Sequence, residues 1–516
     1  AMTGSATYTG SELSALVSWD GNGNTVVPLG DSRTARDWAP NAGTPVVTGV
    51  VGDTLATCVL ANHRKWPGDT IKICNAADQA YNCVSVVETR VDANTFTYRT
   101  PVPISSAAPA GTAEFRDPYQ LANNGIMNWA NILGGGRYRV LRNAGNTGEQ
   151  LAQILARVQR DVIDLRPAIC VLFGGTNDVR SGSNNADTMY ATWLQIVAAL
   201  RAAGIRIVAC TEHTYGPGVA NLTTAKVATL MKFNQLIRTY VQATPGMLLA
   251  DYGAVMADPA ATDGSSVAAY FEDADVHQSP RGAYRMGKEL NRVLSTIVPP
   301  LSLLPSYPSD SFDFTGTRSA LSNPLMQAGA GGTVTAPMTG AAPASWRAEG
   351  SGGGATLVAS VSARTVAADG DALGSNMKFV CTMTANNDSA QARQNGLTAR
   401  VGAGRYFYAV ANIRFVNVPN NLKRANLTIN MTVDGVSYSV VCGTGTTSNN
   451  FEQEDFNGTF VTPLIRVPAN AASITAFEIV AFLQVAGAAG NGSGGLGVGV
   501  IPEMHVGRAN IYEVVG

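Results

Sequence analysis

Residues 25–34, Thr-Val-Val-Pro-Leu-Gly-Asp-Ser-Arg-Thr, form a short apolar run that ends in a polar turn. An apolar run of this length predicts a parallel strand buried on both faces, with Ser32 just beyond its carboxyl end. Between 138 and 296, further apolar runs alternate with amphipathic stretches. This alternation predicts an α/β fold. The predicted strands are 138–142, 168–173, 205–210 and 247–251, and the predicted helices are 149–165, 190–203 and 223–241.

Two regions lack this alternation. Residues 43–116 contain short strand-like runs separated by turn residues, which predicts a small β domain inserted after the first strand. After a Pro-punctuated connection, residues 310–516 alternate short strands with Gly, Asn and Thr loops, which predicts a C-terminal β-sandwich domain. The α/β domain then consists of residues 1–42 plus 117–300.

The composition narrows the possible partners. Charged residues make up 14% of the 516 residues, and 36 Lys and Arg nearly balance 37 Asp and Glu. A net charge of −1 leaves no basic field for a polyanion, which makes nucleic acid a poor candidate partner. The sequence has no apolar run of membrane-spanning length and its first residues lack the features of a signal peptide, so we expect no membrane insertion.

The seven cysteines are scattered, mostly through apolar runs. This placement predicts buried free thiols, with a Cys74–Cys83 disulfide across a hairpin as the alternative. No group of Cys and His residues has the spacing of zinc ligands, so we expect no metal.

Polar motifs follow several of the predicted α/β strands, at the sheet edge where open parallel sheets place their ligand crevice. They supply a serine hydroxyl, a glycine N–H, an amide side chain and a histidine preceded by carboxylates, which is the set that nucleophilic acyl transfer requires. Each motif alone is also typical of a helix cap or a tight turn. Among the four histidines, only His213 competes with His277 for the role of base. The motifs are Gly30-Asp31-Ser32, Asn143-Ala144-Gly145-Asn146-Thr147-Gly148, Gly174-Gly175-Thr176-Asn177-Asp178 and Asp273-Ala274-Asp275-Val276-His277.

These four motifs, in this order, resemble the conserved blocks of the SGNH or GDSL-like serine hydrolases. The resemblance covers about 25–42 and 117–297. It implies a flavodoxin-like three-layer α/β/α fold, with Ser32 as nucleophile and His277 as general base. It also implies an oxyanion hole made of the N–H groups of Ser32 and Gly145 and the side chain of Asn177. No cofactor or metal is implied.

The third member of the triad departs from the family pattern. The family usually has its aspartate three residues before the histidine, and that position is Ala274 here. Asp275 is the preferred candidate to orient His277 because it is nearer to it, and Asp273 is the second choice.

The other regions suggest where such an esterase would act. Residues 50–104 are similar to small β modules of bacteriophage tail proteins, and the C-terminal region resembles a jelly-roll carbohydrate-binding module or a receptor-binding tip. The resemblance implies a tailspike or tail fibre esterase in the virion. It would be a homotrimer, with other tail proteins as possible partners, and would remove O-acetyl groups from a bacterial surface polysaccharide. The alternatives are a secreted bacterial carbohydrate esterase with a binding module and a non-catalytic glycan-binding adhesin.

Overall fold

The structure is a computed structural model of the chain. It describes residues 23–40, 43–109, 113–182, 185–216, 223–272, 276–307, 321–327, 331–352, 356–382, 388–417, 422–444, 454–485 and 503–514. Within these ranges, no helix is long and apolar enough to cross a membrane.

Residues 23–122 form strands and one short helix. These elements are β1 (Thr25–Gly30), α1 (Ser32–Ala35), β2 (Trp38–Pro40), β3 (Val46–Gly49), β4 (Leu55–Val59), β5 (Thr70–Cys74), β6 (Cys83–Arg90), β7 (Thr95–Arg99) and β8 (Glu114–Ala122).

From 126 to 294, helices alternate with short strands. These elements are α2 (Ile126–Leu133), β9 (Arg139–Val140), β10 (Ala144–Gly145), α3 (Leu151–Asp161), β11 (Ile169–Phe173), α4 (Thr176–Arg180), α5 (Ala186–Ala202), β12 (Arg206–Cys210), α6 (Thr224–Ala243), β13 (Leu248–Ala250), α7 (Tyr252–Met256) and α8 (Pro280–Leu294).

A parallel sheet with strand order β10, β1, β11, β12, β13 forms the centre of this region, and β9 also pairs with β1. Neighbouring residues of β11 point to opposite faces, so Leu172 and Val171 enter different apolar clusters. Helices α3, α5 and α6 cover one face, and α2, α7 and α8 cover the other. The result is a three-layer α/β/α arrangement, and the strand carboxyl ends meet along one edge.

The three predicted helices correspond to α3, α5 and α6, whereas α2, α4 and α7 were not predicted. The helix predicted over 190–203 starts earlier, at Ala186, because the Asn185 side chain accepts the N–H groups of Asp187 and Thr188 and caps it there. The strand predicted over 138–142 shortens to β9, which pairs with β1 for only two residues.

The inserted strands also lie close to their predicted positions, as β3 to β7. Strand β8 was not predicted, and the predicted boundary at 116/117 falls inside it. All seven cysteines are free and buried. The alternative Cys74–Cys83 disulfide does not form, because Cys83 pairs with Ile73 and Cys74 pairs with Glu114 in the β5–β6 and β5–β8 ladders.

The C-terminal region is rich in strands, with one short helix. Its elements are β14 (Thr333–Val334), β15 (Met338–Gly340), β16 (Arg347–Ser351), β17 (Thr356–Ala363), α9 (Val366–Asp369), β18 (Ser375–Thr382), β19 (Ser389–Gln394), β20 (Tyr406–Val416), β21 (Leu422–Val433), β22 (Val436–Thr444), β23 (Phe456–Val461), β24 (Ile465–Arg466), β25 (Ile474–Val485) and β26 (Glu503–Val514).

Two sheets of this region share one apolar core, to which Leu427 and Ile479 of one sheet and Phe407 and Ile511 of the other contribute. Strand β8 pairs in parallel with β22, so the inserted strands and one C-terminal sheet form a continuous hydrogen-bonded sheet. The jelly-roll topology and the domain limits stay predictions. The predicted start of the C-terminal domain at 310 lies outside the described residues.

Candidate active site

The nucleophile candidate lies on the turn between β1 and α1. Asp31 caps α1, because its carboxylate accepts the N–H of Arg33 at 3.0 Å. The turn is tight: a Cβ on Gly30 would collide with the carbonyl oxygen of Phe173. Ser32 follows directly and is 5% exposed. The sequence therefore folds locally so that the serine hydroxyl stands at the carboxyl edge of the sheet.

His277 meets this serine from the opposite side of the edge. Its Nε2 lies 2.9 Å from Ser32 Oγ. The neighbouring Gln278 is fully buried and donates to the carbonyl oxygens of Arg33 at 3.0 Å and Asn124 at 2.9 Å. Gln278 therefore ties the histidine segment to the turn that carries the serine. The sequence analysis did not single out Gln278.

His213, the competing histidine, lies behind the nucleophile. It is fully buried, its Nδ1 is 3.0 Å from the carbonyl oxygen of Thr214, and its ring packs edge-on against Phe271. Burial and the nearby Arg33 charge lower the pKa of His213 to about 3. It is therefore a neutral structural histidine, and His277 takes the position that a general base requires.

An ion-pair network supports the nucleophile turn from inside the protein. Arg33 is fully buried between two carboxylates, Asp31 at 2.7 Å and Glu212 at 2.7 Å, and its guanidinium lies 3.9 Å from the centroid of the Phe173 ring. Burial raises the pKa of Glu212. The residue after the nucleophile thus fixes the turn through charge-assisted hydrogen bonds.

The candidate oxyanion donors are only partly placed as predicted. The Asn177 amide donates to the carbonyl oxygen of Glu149 at 2.9 Å, which leaves its second N–H to face a substrate. Gly145 differs from the expectation, because its N–H already donates to Asn143 Oδ1 at 3.0 Å. Gly148 of the same motif is exposed, has a φ of +79°, and donates its N–H to no group among the described residues. The N–H of Gly148 is therefore available to a substrate, whereas the N–H of Gly145, the predicted donor, already has a partner.

Two buried cations hold the strand ends beside the nucleophile. Arg157 donates to the carbonyl oxygens of Gly30 at 2.9 Å and Ala144 at 2.8 Å. From the inserted strand β5, Lys72 donates to the carbonyl oxygens of Asn143 and Gly145 and to Asn143 Oδ1. Asn143 in turn donates to the carbonyl oxygen of Thr34 in α1 at 2.8 Å. A lysine of the inserted region thus positions the loop next to Ser32.

Lys72→Met is expected to lower kcat for ester hydrolysis by about 10-fold to 100-fold with little change in KM, because a shift of about 1 Å in a catalytic loop has effects of this size. The side chain is 1% exposed, so methionine fills its place while removing all three hydrogen bonds. Steady-state kinetics on a small aryl acetate measures both constants, and Lys72→Arg should restore part of kcat.

Lys65→Met is the matched control. Lys65 is also a buried lysine of the inserted region, but it pairs with Asp117 at 2.6 Å and does not contact the 143–145 loop. Lys65→Met should lower the thermal stability and leave kcat close to that of the unchanged protein. Equal loss of kcat in both variants would show that Lys72 only supports the fold.

The third triad member stays a prediction. Asp275 and Asp273 both lie outside the described residues, and the adjoining backbone is held by the N–H of Glu272, which donates to the carbonyl oxygen of His277 at 2.9 Å. In the described part of the chain, no three His, Cys, Asp or Glu side chains gather as a metal site would require.

Part of the chain matches a known family. Residues 111–285 match the GDSL-like Lipase/Acylhydrolase family. The match covers the Asn143–Gly148, Gly174–Asp178 and His277 motifs, and the structure brings Ser32 to His277. The chain therefore contains a GDSL/SGNH hydrolase-like domain together with a large β-rich C-terminal region.

The solved structures that match parts of the chain have low identity and low TM-scores. A GDSL-like lipase from Bacteroides thetaiotaomicron is 22% identical, with 31% of this chain and 75% of that chain covered and a TM-score of 0.26. A carbohydrate esterase of family 3 from Talaromyces cellulolyticus is 21% identical, with 31% of this chain and 72% of that chain covered and a TM-score of 0.26. A peptidoglycan O-acetylesterase is 15% identical, with 57% and 97% covered and a TM-score of 0.31. No curated protein matches the sequence. The domain assignment rests on the family match and the site geometry.

Proposed function

We propose that the protein is a serine esterase that removes O-acetyl groups from a bacterial surface polysaccharide. The observation that carries the catalytic part is the 2.9 Å contact between Ser32 Oγ and His277 Nε2 at the carboxyl edge of the parallel sheet. A histidine nitrogen within hydrogen-bond distance of a serine hydroxyl can accept its proton as the hydroxyl attacks a carbonyl carbon.

The reaction proceeds by acyl transfer in two steps. In the first, Ser32 Oγ bonds to the ester carbonyl carbon, His277 takes the hydroxyl proton, and the alcohol leaves with that proton as the old C–O bond breaks. In the second, water attacks the acyl-serine through the same histidine and releases the acid. The N–H of Ser32, the amide of Asn177 and a loop glycine N–H stabilise the negative oxygen in both steps.

The choice of an acetyl group comes from the resemblance to carbohydrate esterases and stays a prediction. The polysaccharide, the virion location and the homotrimer come from the resemblance of the β regions and stay predictions. The secreted bacterial esterase and the adhesin remain alternatives.

Acetate release tests the proposal directly. The full chain is incubated with a panel of O-acetylated bacterial surface polysaccharides and with a small aryl acetate, with Ser32→Ala as the background. We expect release from at least one polysaccharide and from the aryl ester, absent in the variant. Release from the aryl ester alone would contradict the polysaccharide assignment, and no release from either would favour the adhesin.

A further inference from the structure

A cleft of about 760 Å³ that includes neither Ser32 nor His277 lies between the inserted strands and the C-terminal sheet. This volume is within the range of roughly 300–1,000 Å³ that is typical of ligand sites. One wall is the loop around Trp66 with Tyr119 of β8, and the other is the outer face of β19, β25, β21 and β22. No step of the proposed esterase reaction uses these residues.

The outer face of β21 is polar along its whole length. Strand residues alternate between faces, so Ala425, Leu427 and Ile429 enter the sandwich core. Arg424, Asn426, Thr428 and Asn430 alternate with them and line the cleft. Such a row of amide and hydroxyl groups on a β-sheet suits the hydroxyl groups of a saccharide.

The acidic groups of the cleft already have partners within the protein. Asp117 pairs with Lys65 at 2.6 Å, and the cleft residue Arg393 pairs with Glu478 through two bonds of 2.8 Å. The buried Asp69 accepts the N–H of Trp66 at 2.8 Å and the hydroxyl of Tyr119 at 3.2 Å. Lys65, Asp117 and Arg393 therefore already have charged partners within the protein.

Two arginines of the cleft lack such compensation. Neither Arg424 nor Arg466 forms an ion pair with any carboxylate in the described residues, and the Nε of each is buried without a hydrogen-bond partner. The guanidinium carbon of Arg424 lies 5.6 Å from the centroid of the Phe482 ring. The guanidinium carbon of Arg466 lies 5.6 Å from the centroid of the Tyr406 ring.

We propose that this cleft binds an acidic saccharide, with Arg424 and Arg466 holding its carboxylate or phosphate groups. A guanidinium presents paired N–H donors that match both anions. The donors and acceptors of the Asn and Thr row that remain beyond its bonds to Glu478, Ser439 and each other would contact the sugar hydroxyls. The net charge of −1 argues against nucleic acid as the ligand of this cleft.

Calorimetric titration of the full chain tests this proposal with three probes: an oligogalacturonate, its carboxyl-reduced neutral form, and a glycerol phosphate polymer. We expect one acidic probe to bind at least about tenfold more tightly than the neutral form, with an affinity that falls as salt rises. The preferred acidic probe distinguishes carboxylate from phosphate. Arg424→Gln and Arg466→Gln should each weaken that binding about tenfold, and the double variant should weaken it further.

Arg201→Gln is the matched control, since Arg201 is an exposed arginine at the end of α5, outside the cleft. It should bind as the unchanged protein does. Equal affinity for the acidic and neutral forms, no binding of either acidic probe, or unchanged binding in the double variant would overturn the proposal. Tighter, Arg424-dependent binding of a single-stranded DNA oligonucleotide would also overturn it.

This binding is independent of the proposed esterase function. Ser32→Ala should bind the acidic probe normally, and Arg424→Gln should hydrolyse the small aryl acetate at the normal rate. Loss of hydrolysis with retained binding would therefore count against the esterase alone. Retained hydrolysis without binding would count against the cleft alone.

Discussion

Ser32→Ala is expected to lower kcat for aryl acetate hydrolysis by at least about 10³-fold, as removal of a serine nucleophile does in other enzymes. The variant loses the only atom that can form the acyl-enzyme in this mechanism, whereas the oxyanion donors and His277 remain. The hydroxyl is small and its only side-chain hydrogen bond within the described residues is to His277, so the melting temperature should change little. Stopped assays of aryl alcohol release and a thermal unfolding curve measure the two effects.

A second substitution shows whether serine and histidine act as one unit. His277→Gln should cause a loss of similar size, and the double variant Ser32→Ala with His277→Gln should be no slower than either single variant. Independent roles would instead multiply the two losses. Ser266→Ala is the control, because Ser266 is a buried serine that bonds to Thr214 and not to His277. A Ser32→Ala protein that keeps more than about a tenth of the activity would exclude Ser32 as the nucleophile.

The strands and the main site residues could be predicted because their causes are local. Apolar runs between turn residues mark β1, β11 and β12, and the order of four polar motifs along the chain pointed to Ser32 and His277. The structure brings these two together. The choice between Gly145 and Gly148 depends on the direction of each N–H. This direction is a property of the folded loop and cannot be read from the residue types.

Long-range contacts explain what the sequence did not predict. The parallel pairing of β8 with β22 joins residues more than 300 positions apart, for example Gln120 with Val441, and no local pattern specifies it. Lys72 did leave a trace, since it is a charged residue inside the apolar run Thr-Ile-Lys-Ile-Cys. A buried lysine must have partners, but the sequence could not identify them as the loop beside the nucleophile.

Arg33→Met is expected to destabilise the folded protein by about 3–5 kcal/mol, the cost of breaking a buried ion pair by removing one partner. Methionine approximately fills the volume of the arginine side chain. Asp31 and Glu212 would then remain fully buried without a cationic partner. Asp31 also caps α1, so the nucleophile turn should loosen and activity should fall with stability. Denaturant unfolding at pH 8 measures the change in the free energy of unfolding.

The destabilisation should depend on pH in a defined direction. Burial raises the pKa of Glu212 in the folded protein, and loss of the Arg33 charge raises it further. A carboxyl group with a raised folded pKa binds more protons in the folded than in the unfolded state. Its favourable contribution is therefore present below the unfolded pKa, near 4.3, and is lost as pH rises through the folded value. The deficit of Arg33→Met should accordingly be smaller at pH 5 than at pH 8.

Two further variants separate this charge effect from a loss of packing. Adding Glu212→Gln to Arg33→Met removes one of the two unpaired buried carboxylates and should recover part of the lost stability at pH 8 but little at pH 5. Arg292→Met breaks a pair with Glu289 in which Arg292 is 66% exposed, and should cost less than about 1 kcal/mol. If Arg33→Met cost no more than Arg292→Met, or if its deficit were the same at both pH values, the buried charges would not be what holds the nucleophile turn.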